Sequence, residues 1–450
     1  MMNINWFQGK NVLVIGLAKS GMAAAKLLNK LGAAVTVNDA KDLQGTPEEQ
    51  ELGENGIKLI SGSHPLSLLD ESVDYVVKNP GIRYDTPLLE KALALEIPIV
   101  TEIELADFVA KGDILAITGS NGKTTTTTLI YDMLKKSEVP AHIAGNIGKV
   151  ACTVAQNVEK EDVMVTEVSS FQLKGTKHFH PRTAILLNIF DAHLDYHGGR
   201  EDYEHSKGKI FANMGPDDYA VYNADNRAAA NLAEKSKAKL VPFSVSRAIS
   251  NGAYVKNETF YFQNEEVLPL AEAVLPGKHN QENMLAAIAA AMLHGASLSA
   301  VREVLRNFKG IEHRLQYVGE VYGRKVYNDS KATNILSTQK AIEAFKDPVV
   351  LIAGGLNRGN GFEDLVPSLK TVKAAVFYGQ TKDKLKKAAI EAGVKDVSTV
   401  ETLDEAVGEA YSFSDEKDIL LLSPACASWD QFKTFEERGN QFIHAVGKLK

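Results

Sequence analysis

The stretch ILAITGSNGKTTTTTLI, residues 114–130, places a lysine and a threonine directly after a glycine. Between a β-rich run and a helical pattern, Gly-Lys-Thr is phosphate chemistry. Glycines let a loop turn its N–H groups inward around phosphate oxygens, the lysine adds a point charge, and the threonine hydroxyl reaches Mg²⁺. The spacing is short. The common phosphate loop, G-x-x-x-x-G-K-[ST], requires a glycine at 117 when counted back from Gly122, and Ile117 stands there. Gly119, Gly122, Lys123 and Thr124 therefore read as a shortened phosphate loop, with Ser120, Asn121 and Thr125 inside it, and a chance Gly-Lys-Thr is the bland alternative.

Mg²⁺ takes oxygen ligands and keeps water. Glu167, at the end of the strand-like run MVTEVSS, is the nearest candidate carboxylate, because strand ends face the ligand crevice of an α/β sheet. DAHLDYH carries His193 and His197 at the zinc spacing, but Leu194 occupies the position of the general base, which argues against a zinc hydrolase. His193 is left as a contact to metal or phosphate, or as part of a polar loop. Asn280 and Asn283 share a helix face, where they could hold a nucleoside or merely line the helix. Arg314 in HRLQ can reach a phosphate. Asp329, Ser330, Lys331 and Thr333 in YNDSKATN, and the run SPACASWDQFKTFEERG (423–439), are polar clusters at strand ends. Two such clusters in one domain point to a small charged substrate.

The elements that must position these residues alternate β and α nearly throughout. NVLVIG (11–16) and AVTVND (34–39) flank a helical stretch, the opening of a doubly wound sheet. A second series begins at DILAITG (113–119) and a third at KVYNDS (325–330), while 242–270 reads as decorating hairpins. The expected fold class is α/β with three domains, 1–102, 103–310 and 311–450. In the first, VIGLAKSG (14–21) has Ala18 where a dinucleotide-binding loop needs its second glycine, which disfavours a dehydrogenase. A helix N-terminus holding some other diphosphate, with Asp39 toward ribose or base, and a plain β–α turn remain equal readings.

The whole chain has 450 residues, 44% hydrophobic and 24% charged, with net charge −7, so no basic field invites nucleic acid or an anionic membrane. Cys152 and Cys426 form no metal or disulfide pattern. No window approaches the ~18 apolar residues of a spanning helix, and the start MMNINWFQGKNVLVIG lacks the features of a signal peptide. The expectation is a cytoplasmic protein.

Taken together, TGSNGKTT, EVSSFQL, NIFDAHLDYHG, GKHNQEN, HRLQ, NDSKATN and SPACASWDQFKTFEERG resemble the Mur ligases of bacterial cell-wall synthesis. The resemblance spans the chain, and its compact loop G-x-N-G-K-[ST] accounts for Ile117. NDSKATN with SPACAS-x-DQF resembles the member that joins D-glutamate to UDP-N-acetylmuramoyl-L-alanine. The resemblance implies a Rossmann-like UDP-binding domain, a central P-loop ATPase domain and a C-terminal Rossmann-like domain. It also implies amide formation through an acyl phosphate, with ATP converted to ADP. Lys123 would bind phosphates, and Thr124 and Glu167 a first Mg²⁺, with His193 near a second. Lys207, an ordinary surface lysine by its sequence context, would carry a carbamate that ligates magnesium. Ser20, Asp39 and Asn79 would handle the UDP part, and Asn146 and Ser169 the muramoyl part. Asn280, Asn283, Arg314 and Asp329 would frame ATP. Lys331, Thr333, Ser428 and Phe435 would receive D-glutamate, together with Arg358, which stands where some relatives have lysine. A monomer is expected.

Overall fold

The computed structural model describes residues 4–190, 192, 194–308, 310–359 and 361–449. His193 lies outside the described residues. The chain forms three sheets distributed over two compact units, one of Met1–Ala273 with Lys278–Arg306 and one of Val274–Gly277 with Asn307–Lys450.

In the first unit, strands β1 (Asn11–Ile15), β2 (Ala34–Asp39), β3 (Lys58–Ser61), β4 (Tyr75–Lys78) and β5 (Ile99–Val100) pair in parallel in the order β3-β2-β1-β4-β5. The buried faces of β1 and β4 are apolar runs, as strands covered on both sides require. The order reverses between β1 and β4, so the crevice opens at Gly16 and Asn79, past their carboxyl ends.

The second sheet contains β6 (Asp113–Thr118), β7 (Ala141–Gly145), β8 (Val163–Glu167), β9 (Thr183–Leu186), β10 (Tyr219–Asn223) and β11 (Lys239–Ser244). It is extended by β12 (Ala253–Lys256), β13 (Thr259–Phe262) and β14 (Glu265–Pro269). Its order is β14-β13-β12-β11-β10-β9-β6-β8-β7. The antiparallel pairs β12–β13 and β13–β14 are the hairpins expected in 242–270. β6 lies between β8 and β9, with Ile117 opposite Glu167 on one side and Ile185 on the other. That register sets the phosphate loop, Glu167 and the residues after β9 side by side. Ile117 is fully buried, which explains why a strand residue, not a glycine, stands there.

The second unit holds β15 (Gln316–Val321), β16 (Arg324–Asn328), β17 (Val349–Gly354), β18 (Val372–Tyr378), β19 (Asp396–Thr399) and β20 (Ile419–Leu422), in the order β15-β16-β20-β17-β18-β19. Its strands are parallel except for the β15–β16 pair. The segments leaving β16, β20 and β17 begin at adjacent carboxyl ends, and they carry NDSKATN, SPACAS and GGLNRG. Among the described residues, no helix is long and apolar enough to cross a membrane.

Candidate active site

The phosphate loop is built by β6 and the helix Lys123–Lys136, whose first turn leaves N–H groups without intrahelical partners. Gly122 caps the helix with φ +85°, and a Cβ there would lie 2.1 Å from Asn283 Oδ1. Only glycine satisfies both constraints. Asn283, half of the pair on helix Lys278–Leu293, is buried and donates to Asn280 Oδ1 at 3.3 Å. The loop is further held by Asn188, which accepts from the Asn121 N–H at 2.9 Å and donates to the Asn121 carbonyl at 3.2 Å. Ser120 Oγ lies 2.8 Å from the Tyr203 hydroxyl and accepts from the Phe190 N–H at 2.9 Å. The Lys123 ammonium donates to the carbonyls of Gly119 and Ser120 at 2.8 and 3.1 Å, which folds it over the loop's cup. Thr124 and Thr125 are buried in the helix's first turn.

Beside the loop, Glu167 is 2% exposed. Its Oε1 accepts from Asn146 Nδ2 at 2.8 Å, while its Oε2 is buried with no hydrogen-bond partner. A buried carboxylate oxygen left unpaired is costly unless a cation takes it, so the corner fits Mg²⁺. Lys207 is not a surface lysine. It sits on helix Arg200–Gly208 at 1% exposure and donates to Gly119 O at 2.8 Å and Thr118 Oγ1 at 3.3 Å. Its residue type alone suggested solvent, but the helix packs this face onto the loop. Burial, with the Lys123 charge nearby, pushes the Lys207 amine well below the usual lysine range despite the opposing pull of Glu167. His197 does not offer a free nitrogen. Its Nδ1 lies 2.7 Å from Asp202 Oδ2, its Nε2 lies 3.0 Å from Ser170 Oγ, and burial pushes the imidazole toward its neutral form. Ser169 caps helix Ser170–Lys174, exchanging hydrogen bonds with Gln172.

At the first sheet, Ser20 Oγ accepts from Asn79 Nδ2 at 2.9 Å, so these two candidates meet at the crevice. Asp39 is less available than its position suggests: its carboxylate accepts from the Leu17 N–H at 2.6 Å and the Lys41 N–H at 2.9 Å. Next to Asn79, the buried Lys78 donates to Pro80 O and to the Tyr196 hydroxyl, each at 3.0 Å, and lies over the Tyr84 ring. Tyr196 also lies 2.8 Å from Pro80 O and 3.0 Å from Ile82 O. A tyrosine of the second sheet's domain thus secures the loop of the first.

In the second unit, an open cleft of about 770 Å³ is lined by Thr333, Asn334, Leu356, Arg358 and Ala425–Ala427, among others. Thr333 and Arg358 therefore meet, from the loops after β16 and β17. Lys331 lies over the Phe435 ring at 5.5 Å, and Ser428 is buried. Arg314 is exposed. Asp329 is buried, accepting from Ser423 Oγ at 2.8 Å and the Leu315 N–H at 3.1 Å, and burial pushes its carboxyl up to about 7. Arg438, fully buried, ties the loops together by donating to Ser330 Oγ at 3.0 Å and Ser330 O at 2.7 Å. Asn188, Tyr196, Tyr203 and Arg438 were not singled out from sequence. The signal within reach was that all four fall near or inside the quoted motifs. Their roles depend on partners distant in the chain.

The comparisons with known proteins cover the same ground. The Mur ligase MurD-like N-terminal domain matches residues 10–101, the Mur ligase middle domain residues 117–291, and the Mur ligase glutamate ligase domain residues 313–426. The chain is 54% identical over 450 residues to a UDP-N-acetylmuramoylalanine–D-glutamate ligase of Halalkalibacterium halodurans, with 100% of each covered. It is 52% identical over 451 residues to the protein of the same name from Bacillus subtilis, again with 100% of each covered. Its fold is similar to a solved UDP-N-acetylmuramate–alanine ligase of Thermotoga maritima, with TM-score 0.59 and 20% identity over 98% of this chain and 100% of that one. The chain belongs to the Mur ligase family, in the branch of the UDP-N-acetylmuramoylalanine–D-glutamate ligases.

Proposed function

We propose that the chain joins D-glutamate to UDP-N-acetylmuramoyl-L-alanine at the expense of ATP, a step of peptidoglycan precursor synthesis. The observation that carries this reading is the buried corner beside the compact loop, where Glu167 keeps an unpaired oxygen next to Lys123 and Lys207. Such a corner suits phosphoryl transfer, which is positioning and charge neutralisation more than covalent chemistry by the protein. The alanyl carboxylate attacks the γ-phosphorus and ADP leaves. The D-glutamate amine then attacks the acyl phosphate carbonyl, phosphate departs from the tetrahedral adduct, and the amine proton is lost.

In this reading the chain divides at 1–102, 103–310 and 311–450. Ser20, Asp39 and Asn79 take the UDP part, and Asn146 and Ser169 the muramoyl part. Residues Gly119–Thr125, with Asn280, Asn283, Arg314 and Asp329, hold ATP. Lys331, Thr333, Arg358, Ser428 and Phe435 hold D-glutamate. Thr124 and Glu167 would hold one Mg²⁺, with Lys207 and His193 contributing to a second. When bound, Mg²⁺ supplies charge neutralisation at the phosphate oxygens. The Lys207 amine, whose ammonium form burial disfavours, adds to CO₂ with loss of a proton, which turns a buried amine into an anionic oxygen donor. The enzyme acts as a monomer in the cytoplasm.

The test is ADP release from ATP and Mg²⁺ in the presence of UDP-N-acetylmuramoyl-L-alanine, with amino acids added singly. Release that requires D-glutamate is expected. Release indifferent to amino acids would indicate a plain nucleotidase, and dependence on another amino acid a different ligase of the family.

A further inference from the structure

Arg358 sits on a loop whose backbone is tied down on both sides of it. The Gly355 N–H donates to Thr381 Oγ1 at 3.1 Å, the Leu356 N–H to Ala427 O at 2.9 Å, the Asn357 N–H to Gln380 Oε1 at 3.2 Å, and the Gly359 N–H to Asn357 Oδ1 at 3.0 Å. Across from it, Ser428 O accepts from the N–H groups of Gln431 and Phe432, and Asp430 Oδ2 accepts from the Gln380 N–H. Hydrogen bonds thereby tie the segments carrying Arg358 and Trp429 into one frame, directly through Leu356 and Ala427 and jointly through Gln380. What the frame leaves undetermined is the long Arg358 side chain, with its several rotatable bonds. Its guanidinium carbon lies 5.2 Å from the centre of the Trp429 ring. Trp429 is 65% exposed, more than any other large hydrophobic side chain that stands out on the described surface, so burial does not explain an indole there.

We propose that Trp429 is a positioning residue for Arg358. The indole face holds the guanidinium plane at the mouth of the cleft, so that its paired N–H groups meet a substrate carboxylate bidentately. This inference rests on the reading of that cleft as the D-glutamate site. A stacked, planar guanidinium suits carboxylate capture because less side-chain freedom is lost when the ligand arrives. A lysine at 358 would keep the charge and lose both the fork and the stack.

The full-length enzyme, assayed by ADP release with each substrate varied in turn, tests this. Trp429→Ala should raise the KM for D-glutamate about 3- to 30-fold, the factor of a cation–π contact. Its kcat and its KM values for ATP and the nucleotide substrate should stay within about twofold. Trp429→Phe and Trp429→Tyr should restore most of the loss. Arg358→Lys combined with Trp429→Ala should be little worse than Arg358→Lys alone, because both remove the same stack. An unchanged D-glutamate KM in Trp429→Ala, or effects of the two substitutions that multiply, would overturn the inference. Failure of the parent enzyme to require D-glutamate would instead overturn the reading of the cleft.

Discussion

Lys207 and Lys78 show how burial turns a surface residue type into chemistry. Lys207 sits buried against the phosphate loop, where desolvation and the Lys123 charge push its amine well below the usual lysine range against the pull of Glu167. Lys207→Ala is expected to lose nearly all ligase activity while remaining folded by circular dichroism, and short carboxylic acids should restore part of it. Full activity without added acid would rule out the carbamate role. Lys78 makes a separate prediction about stability. Burial, aided by the Lys174 charge, pushes its amine down to about 7, whereas the unfolded chain titrates near 10.5. Between those values the unfolded state binds more protons than the folded one, so stability rises with pH. The contribution is full above about 10.5 and lost as pH falls through about 7. Relative to Lys78→Met, the parent should gain up to about 1.4 kcal/mol per pH unit between pH 7 and 9. Parallel pH profiles of denaturant unfolding for the two proteins would contradict this.

The helix Lys123–Lys136 divides its threonines between function and packing. Thr124 and Thr125 open the helix at the loop, and Thr128 donates to the Thr124 carbonyl at 2.9 Å. Thr126 and Thr127 are fully buried, and their hydroxyls find no hydrogen-bond partner. A buried hydroxyl without a partner is destabilising, so Thr126→Val should stabilise the protein by about 1 kcal/mol with little change in turnover. A destabilised variant would mean that the hydroxyl is paired in solution. Gly122→Ala at the same helix start should abolish ATP turnover, because Cβ meets Asn283 and the backbone is left-handed. Retained activity would show that Asn283 can yield. The strands after which these helices start were legible, because continuous apolar runs of four to six residues bounded by glycine or polar residues have few other solutions. The short strands β3 and β19 and the helix Glu102–Val109 were not, because their patterns are weak and are decided by neighbours. Glu102 itself is buried where it accepts from the Cys152 N–H and Gln172 Nε2.

For the whole molecule, three α/β sheets on one chain match the three domain models along its length. The net charge of −7 supplies no overall positive field. The proposed monomer predicts that light scattering during gel filtration gives the mass of one chain, with or without substrates. A stable dimer mass would reject the monomer.

The alternation of the main strands and helices, the compact phosphate loop and the clusters after β16 and β20 were determined by the sequence alone, because they depend on spacing between near neighbours. Tertiary structure decided which of those residues remain free to act. Asp39 has its carboxylate oriented by the N–H groups of Leu17 and Lys41, and His197 has both ring nitrogens engaged, by Asp202 and Ser170. Lys207 is carried inward, Glu167 keeps one oxygen unpaired, and Arg438 fastens the loop after β16 from far along the chain. Desolvation and hydrogen bonding act through space, and a side chain's protonation and partners follow from what packs on it, which residue type and local pattern do not contain.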